Sequence, residues 1–357
     1  MTQDAIGERL RHLLDTRWRP QLRLTTSERD NLIRWDGSGR DHFEVYAVGV
    51  PFPEQQAALW LRHEVRFAHG HKIAPHLRVA AMVFDFASGE HRVFSETFAL
   101  ADLDVGRKRF SLGLGPVELT HARARGHLQS GALRWDLSWE PRHVTNRSLL
   151  FSSLYDSPLV PTKVLVPNDA VPMWGTVQIG DRLLEAAGVS GQQAHLWGRR
   201  HPQRYMWTRV LGFEHRPDCR FEAAQVQDWI GDRPSPWLLA MRITYQHHPH
   251  VFVRLVPNLV KARTQHYLAG WSFSSGRRHL YFRGRIDAEP AQFVGSRVED
   301  PDGREHLLAT TAGASCQLEV LRRRNMRFQR EALLTATGQT WYEISGHAED
   351  PDVPTRL

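Results

Sequence analysis

The feature that most constrains the fold is a strict alternation of apolar and polar residues. It is clearest from Ala132 to Glu140, where Leu133, Trp135, Leu137 and Trp139 alternate with Arg134, Asp136, Ser138 and Glu140. Successive side chains of a strand point to opposite faces, so this spacing predicts a half-buried antiparallel strand.

The same alternation recurs along the chain. It is found in five further segments: Phe43–Val50, Leu77–Phe86, Tyr205–Phe213, Leu280–Ile286 and Cys316–Leu321. Turn pairs separate them, namely Ser88-Gly89, Ser275-Gly276 and Asp302-Gly303. Many short strands divided by turns indicate an all-β chain of sandwiches or barrels and argue against βαβ winding.

Helical spacing is rare. Ile6, Leu10, Leu13 and Leu14 predict one N-terminal helix over residues 6–14. A second, shorter helix is predicted from Asp181 to Ala187, ending at Gly188.

The chain of 357 residues is long enough for two domains. The most turn-rich stretch near its middle contains Pro158, Pro161, Pro167 and Pro172. We therefore expect a boundary at about residue 168, with an N-terminal β domain over 1–168 and a C-terminal β domain over 169–350.

Composition restricts the class of protein. Basic residues outnumber acidic ones by 46 to 39, but the charge is almost all arginine, scattered among acidic residues, so we expect no nucleic-acid partner. Only Cys219 and Cys316 occur, which is too few for a disulfide framework. No leader and no apolar run of membrane-spanning length are recognisable. We expect a soluble cytoplasmic protein, with peripheral membrane contact left open and the oligomeric state undetermined.

The densest group of chemically active side chains runs from residue 194 to residue 207. In a strand, His195, Trp197 and Arg199 share one face, and after a turn at His201-Pro202 a second row follows, formed by Tyr205, Trp207 and Arg209. If the two strands form a hairpin, the rows lie side by side. Glu222, on the next strand, is then the nearest carboxylate able to reach His195.

Tryptophan is unusually frequent, with 12 residues. Trp174, Trp197 and Trp207 are expected in the core, and some of their faces could line a cavity for an apolar molecule. In such a cavity a buried Glu222 would have a raised pKa and could donate a proton, and indole faces could stabilise a carbocation. Arg199 or Arg209 could instead hydrogen-bond a substrate carbonyl.

These motifs resemble a known superfamily. The resemblance rests on Trp174-Gly175, His195-x-Trp197-Gly198-Arg199, Trp207, Glu299-Asp300-Pro301-Asp302-Gly303, Ala314-Ser315-Cys316 and Trp60-Leu61-Arg62-His63. They look like the lipocalin-like (calycin) proteins that include AttH, carotenoid 1,2-hydratases (hydroxyneurosporene synthases), tocopherol cyclases and fungal Diels–Alderases.

The resemblance implies two consecutive lipocalin-like domains and chemistry on terpenoid or polyketide substrates without a redox cofactor. In the hydratases, the His and Trp of the His-x-Trp motif and a following Asp are implicated in protonating an alkene. The first two correspond to His195 and Trp197. The Asp of the hydratases has no identical match in this sequence, but Glu222 lies at roughly the corresponding distance along the chain. The replacement of Asp by Glu puts carotenoid hydration in doubt.

Several interpretations remain open at this level. The first is a cofactor-independent cyclase, isomerase or hydratase with His195, Glu222 and Arg199 as catalytic residues and Trp174, Trp197, Tyr205, Trp207 and Arg209 around the substrate. The second is a non-catalytic carrier of an apolar molecule, and the third a folded remnant that makes protein contacts. His195 could equally be a structural histidine, and Glu222 an ion-pair partner. We expect no metal site and no cofactor, because no metal-ligand cluster or nucleotide-binding motif is present.

Overall fold

The computed structural model describes residues 24–35, 40–68, 76–106, 109–145, 155, 160–230, 232–252, 263–267, 270–277, 279–325 and 327–346. The helix predicted over 6–14 lies outside the described residues. A short helix near the N-terminus, α1, spans Thr26–Asp30. It begins at Thr25, whose hydroxyl accepts a hydrogen bond from the backbone N–H of Glu28 at 3.2 Å.

The remainder of the described chain is dominated by strands, as predicted. The first sheet contains β1 (His42–Phe52), β2 (Ala57–Phe67), β3 (His76–Asp85), β4 (Arg92–Phe98), β5 (Leu103–Val105), β6 (Ser111–Leu114), β7 (Val117–Thr120), β8 (Arg123–Leu128), β9 (Leu133–Trp139), β10 (Thr162–Ile179) and β11 (Arg182–Gly198). Its spatial order is β4-β3-β2-β1-β11-β10-β9-β8-β7-β6-β5. Strands β4 and β8, far apart in that order, contact each other, so the sheet curls around its own core.

The second sheet contains β12 (Arg204–Val210), β13 (Arg220–Gln227), β16 (Leu238–Tyr245), β17 (His248–Phe252), β18 (Arg263–Tyr267), β19 (Gly270–Gly276), β20 (Leu280–Asp287), β21 (Val294–Glu299), β22 (Glu305–Arg324) and β23 (Arg327–Gly346). Its order is β17-β16-β13-β12-β23-β22-β20-β19-β18, with β21 on β22. The short strands β14 (Trp229–Ile230) and β15 (Arg233–Pro234) pair separately.

Strand β9 shows why the alternation predicted the fold. Leu133, Trp135, Leu137 and Trp139 are buried inside the first sheet, and the residues between them are exposed. The all-β prediction is confirmed: the described residues form two curled half-barrel sheets, the small β14–β15 pair and a short helix near the N-terminus.

The helix predicted from Asp181 to Ala187 is wrong. This segment begins β11 and forms a hairpin with β10, in which Leu184 and Ala186 are buried with period two. Gly188, expected as a helix terminator, instead lies within β11 at φ +76°, beside a register shift of the pairing. A smaller difference concerns Ser275 and Gly276, which are the last residues of β19 rather than a turn.

Strand pairing places the division between the sheets later than expected. Residue 168, the predicted boundary, lies inside β10, and the first sheet continues to Gly198. The chain passes to the second sheet between Gly198 and Arg204. The proline-rich stretch that suggested residue 168 instead leads into the long β10. Pro167 lies at a register shift in the pairing of β10 with β11, whereas Pro172 is in register with Ser190.

An aromatic layer joins the two sheets. Trp60 on β2 lies between Trp341 and Trp207 of the second sheet, with ring centroids 4.9 and 5.8 Å away. Small residues such as Ala47 and Ala312 complete this cluster and let the sheets approach closely. Within the described residues, no helix is long and apolar enough to cross a membrane.

Candidate functional site

The two rows of side chains predicted to share a hairpin lie in different sheets. Strand β11, with His195 and Trp197, pairs with β1 and β10. Strand β12, with Tyr205, Trp207 and Arg209, pairs with β13 and β23. The hairpin expectation is therefore wrong, because the turn at residues 199–203 carries the chain from one sheet to the other.

His195 lies fully buried inside the first sheet, held from both sides. Its Nδ1 is 2.7 Å from the backbone carbonyl oxygen of Asp30, at the end of α1, and its Nε2 is 2.7 Å from Oε1 of Glu44. The carboxylate beside His195 is thus Glu44 of β1, whereas Glu222 was expected. Sequence analysis missed Glu44, although a lone charged residue in the apolar run from Phe43 to Val50 was a signal.

Glu44 is surrounded by hydrogen-bond donors. Its carboxylate accepts from His195, from the hydroxyl of Tyr46 at 2.8 Å, from Nε2 of His42 at 3.0 Å, and from the backbone N–H groups of Arg34 and Trp35. Burial by itself would raise the pKa of Glu44, but the hydrogen bonds from His195 and His42 outweigh it and hold the pKa well below its usual value. Glu44 is therefore ionised.

The protonation state of His195 follows from its partners. The carbonyl oxygen of Asp30 and the ionised carboxylate of Glu44 can only accept hydrogen bonds. Both ring nitrogens of His195 must therefore carry a proton for these two contacts to be hydrogen bonds. The result is an imidazolium–carboxylate pair sealed inside the first sheet.

Tyr46 lies directly between two histidines. In the strand register it is the partner of His195 on β11 and of His63 on β2, and its ring stacks on that of His195 at 4.3 Å. Burial, with the charge of Glu44 nearby, raises the pKa of Tyr46 well above its usual value, so its hydroxyl stays protonated. The register thus places the residues His63, Tyr46 and His195 in one row across three neighbouring strands.

His63 differs from His195 in its protonation. Its Nδ1 donates to the carbonyl oxygen of Tyr46 at 3.2 Å, and burial lowers its pKa to about 4. The ring is neutral near pH 7, so Nε2 carries a lone pair. Among the described residues, this fully buried Nε2 has no hydrogen-bond partner. The motif Trp60-Leu61-Arg62-His63 was noticed in the sequence, but no role was assigned to His63.

Trp197 is buried on the same face as His195, with ring centroids 4.9 Å apart. Its other neighbours are the ring of Tyr155 and the guanidinium of Arg34, 5.1 Å from the indole centroid. The glycine that follows is required by close packing: a Cβ on Gly198 would lie 2.0 Å from the carbonyl oxygen of Pro161. Gly198 thus allows β10 and β11 to meet where the motif ends.

Tyr205, Trp207 and Arg209 face the layer between the sheets. Tyr205 donates to Oε1 of Glu343 at 2.6 Å, and burial, reinforced by the charge of Glu343, raises the pKa of Tyr205 well above its usual value. Glu343 in turn faces Arg62 of the first sheet at 3.5 Å. Tyr205 is therefore part of the contact between the sheets.

Arg209 and Glu222 form a second buried group in this layer. Arg209 donates to Asp169 of β10 and to Glu222 at 3.2 Å, and Trp207 donates to Glu222 at 3.3 Å. Glu222 therefore pairs with Arg209, the alternative that the sequence left open. Its position in the second sheet separates it from His195, whose carboxylate partner is Glu44.

Two further predicted site residues are exposed. Trp174 is 41% exposed on β10, although it was expected in the core. Arg199 is also exposed, and its backbone N–H donates to the carbonyl oxygen of Pro161 at 2.9 Å. Among the described residues, no group of three or more His, Cys, Asp or Glu side chains is arranged to hold a metal ion.

The protein has a lipocalin-like fold built from two curled β sheets, the first of which has a polar core. Comparison with solved structures leads to the same fold. The chain is similar to a protein provisionally assigned as AttH from Nitrosomonas europaea, with a TM-score of 0.53 and 11% identity over 87% of this chain and 93% of that one. It is also similar to kievitone hydratase from Nectria haematococca, with a TM-score of 0.51 and 9% identity over 90% of this chain and 92% of that one.

These likenesses establish the fold. The chain has the lipocalin-like fold of these two structures, and this is the fold that the sequence motifs implied. No protein-family model matches the sequence, and no curated protein matches it.

Proposed function

We propose that the protein is a cofactor-independent enzyme, a hydratase or a cyclase/isomerase, that protonates a carbon–carbon double bond of a lipophilic terpenoid or polyketide molecule. The observation that carries the proposal is the Glu44–His195 pair, both side chains of which are 0% exposed. Burying two charges is unfavourable by several kcal/mol per ion unless they are well paired, and strongly perturbed groups cluster at functional sites.

The pair is suited to an acid step. His195 would give its Nε2 proton to one alkene carbon, leaving a carbocation on the other carbon and a neutral imidazole. Before the transfer the ionised Glu44 faces the imidazolium of His195, and after it Glu44 faces the carbocation. The net charge of the site is therefore the same before and after the proton transfer. The aromatic faces of Tyr46 and Trp197, both in contact with the His195 ring, would add cation–π stabilisation.

His63 supplies the complementary base. Its Nε2 lone pair would take a proton from the water that attacks the carbocation, so that hydration adds H to one carbon and OH to the other. In a cyclisation or isomerisation, the same nitrogen would take a proton from the substrate instead. His195 has then lost one proton and His63 has gained one. Transfer of a proton from His63 to His195 returns the site to its starting state.

A carrier that binds an apolar molecule without changing it is the second candidate. The observation in its favour is that both nitrogens of His195 already have acceptors within the protein, at 2.7 Å each. In this case the network around Glu44 only holds α1 and three strands together.

The test is incubation of the full chain with a lipid extract of its source organism in ¹⁸O-labelled water, followed by mass spectrometry. A hydratase forms a product that is heavier by one labelled water. A cyclase or isomerase forms a product of unchanged mass and altered retention. A carrier returns its ligand unchanged, and that result would refute the enzymatic proposal.

Matched variants locate the chemistry. His195→Gln removes the charge and should abolish turnover, whereas His215→Gln, at an exposed position in the turn between β12 and β13, should retain it. Glu222→Gln tests the carboxylate that the sequence suggested as the acid. Turnover that depends on Glu222 and not on His195 would place the acid in the layer between the sheets and overturn the assignment to the first.

A further inference from the structure

An excess of arginine is concentrated at the end of one hairpin, where β22 turns into β23. Residues 319–331 contain five arginines, two glutamates and no other charged side chain, which gives this segment a formal charge of +3, against +7 for the whole chain. The turn lies beyond the end of the neighbouring strand β20, because Leu280, the first residue of β20, pairs with Arg322. We call residues 319–333 the arginine hairpin.

The two carboxylates of the arginine hairpin are already shared among arginines. Arg322 donates to Glu331 at 3.0 Å, and Glu319 lies 3.4 Å from Arg330 and 3.5 Å from Arg283 of β20. The hairpin therefore keeps an excess of positive charge.

This excess is greatest at the turn itself. Arg324 and Arg327 are direct partners in the strand register, and both are exposed. Like charges directly opposite each other destabilise a pair of strands. An anionic partner outside the chain would relieve this repulsion.

Exposed apolar side chains accompany the arginines. Phe328 is 47% exposed and Leu333 is 48% exposed, and they are two of the six large apolar side chains that are exposed among the described residues. In the register Phe328 pairs with Arg323 and Leu333 pairs with Glu319. Arg323 and Glu319 alternate along β22 with Val320, which is buried in the core of the second sheet. Phe328 and Leu333 therefore lie on the outer face of the hairpin, away from the core.

Arginine beside exposed apolar side chains is the combination that binds to an anionic membrane. Each basic residue near the surface gains from the anionic headgroups, and an apolar side chain gains by leaving water at the boundary of the acyl chains. A nucleic-acid duplex also offers phosphates, but its bases are stacked inside, so it would leave Phe328 and Leu333 in water. The outer face of the hairpin therefore fits a lipid surface better than it fits a duplex.

From these features we propose that the arginine hairpin is a membrane-docking surface for an anionic bilayer, with Arg324 and Arg327 on the lipid phosphates and Phe328 at the boundary of the acyl chains. Peripheral membrane contact was left open by the sequence, and this surface is where the structure allows it. The proposal does not involve the Glu44–His195 pair and does not depend on the enzymatic activity proposed above.

The experiment is flotation of the full chain with two kinds of vesicle, one of phosphatidylcholine alone and one of equal parts phosphatidylcholine and phosphatidylglycerol. The protein should float with the anionic vesicles, stay behind with the neutral ones, and be released by high salt. The double variant Arg324→Gln/Arg327→Gln should bind the anionic vesicles about thirtyfold more weakly. Phe328→Ser should bind them about tenfold more weakly.

Matched controls come from the first sheet. Arg92→Gln/Arg125→Gln removes the same amount of charge from two exposed positions and should bind as wild type. Leu183→Ser is the control for Phe328→Ser, because Leu183 is also 47% exposed. Equal losses for a hairpin variant and its control would show that binding depends on overall charge or hydrophobicity, and would overturn the proposal.

A second measurement locates the contact without a variant. Anionic vesicles should slow amide hydrogen exchange in the peptides that contain Arg324 and Arg327, and leave the first sheet unchanged. Absence of binding to the anionic vesicles, equal binding to the neutral ones, or protection confined to other segments would each refute the docking surface. Duplex DNA at the same ionic strength tests the other class of partner. Tighter binding to DNA than to vesicles, unaffected by Phe328→Ser, would assign the hairpin to nucleic acid instead.

Discussion

The Nε2 atom of His195 lies 2.7 Å from Oε1 of Glu44, although the two residues are 151 positions apart in the chain. Strands β1 and β11 are neighbours in the first sheet, and α1 supplies the acceptor on the other side of the ring. The pairing of β1 with β11 thus brings the two groups together, and the N-terminal helix holds the other side of the His195 ring.

Removing one member of this pair should destabilise the protein strongly. Glu44→Gln leaves the protonated His195 without its counter-ion in a site that water does not reach, and the loss should be about 3–5 kcal/mol in the free energy of unfolding. Urea denaturation measures it. The exposed pair Arg123 and Asp136 is the control, and Asp136→Asn should change stability by about 1 kcal/mol or less. Equal losses for the two variants would contradict the buried, ionised state of Glu44.

Stability should fall as the pH is lowered from 6.5 towards 4. The pKa of His63 is about 4 in the folded protein and 6.5 ordinarily, so across this window the unfolded chain binds more protons than the folded one. His63 alone can account for at most about 3 kcal/mol of this fall. The unfolding midpoint is measured at each pH. The slope of this midpoint against pH should become shallower in His63→Gln and stay unchanged in the exposed control His215→Gln. A slope insensitive to His63→Gln would show that His63 is not buried as a neutral ring.

The aromatic layer should hold the two sheets together. Trp341 is 2% exposed and contacts Trp60 across the layer, so Trp341→Ala should lower the free energy of unfolding by about 3–5 kcal/mol. Trp174→Ala is the matched control, because that indole is 41% exposed, and it should have a much smaller effect. If the two variants unfold at the same urea concentration, the layer contributes little.

Gly198 should tolerate no side chain. A Cβ there would meet the backbone of β10, which cannot move as a flexible side chain can, and overpacking of this kind costs about 1–3 kcal/mol. Gly198→Ala should therefore be destabilised and should alter the near-ultraviolet circular dichroism of the adjacent Trp197. Gly346→Ala, where a Cβ meets nothing within 4 Å, should behave as wild type. An unchanged Gly198→Ala would mean that β10 and β11 are not packed this closely.

Much of the local structure could be predicted from the sequence. The alternation from Ala132 to Glu140 identified the buried face of β9, and it gave the limits of this strand to within one residue at each end. The segment from Asp181 to Ala187 was misread because its apolar residues are too few to distinguish helical from strand periodicity, and its pairing with β10 decided the outcome.

The candidate site was only partly predictable. His195 and Trp197 lie on one buried face, as their spacing required. The rows of β11 and β12, however, were assumed to be paired because they are adjacent in sequence. Strand partners depend on the order of the whole sheet. Glu44 therefore reaches His195 from a distant position, and His63 lies in the same row beyond Tyr46, whereas Glu222 lies in the other sheet.

The sequence by itself determined the class of fold and the faces of its strands, because side-chain alternation is a local property of an extended backbone. It also determined that His195 and Trp197 share one face of their strand, because they are two positions apart. Only the tertiary structure decided which carboxylate meets which histidine, and with it the charge of each ring. The carboxylate partner of each histidine depends on the order of the strands and on how the sheet closes. Both arise from contacts between residues far apart in the chain, and such contacts produce no regular spacing in the sequence.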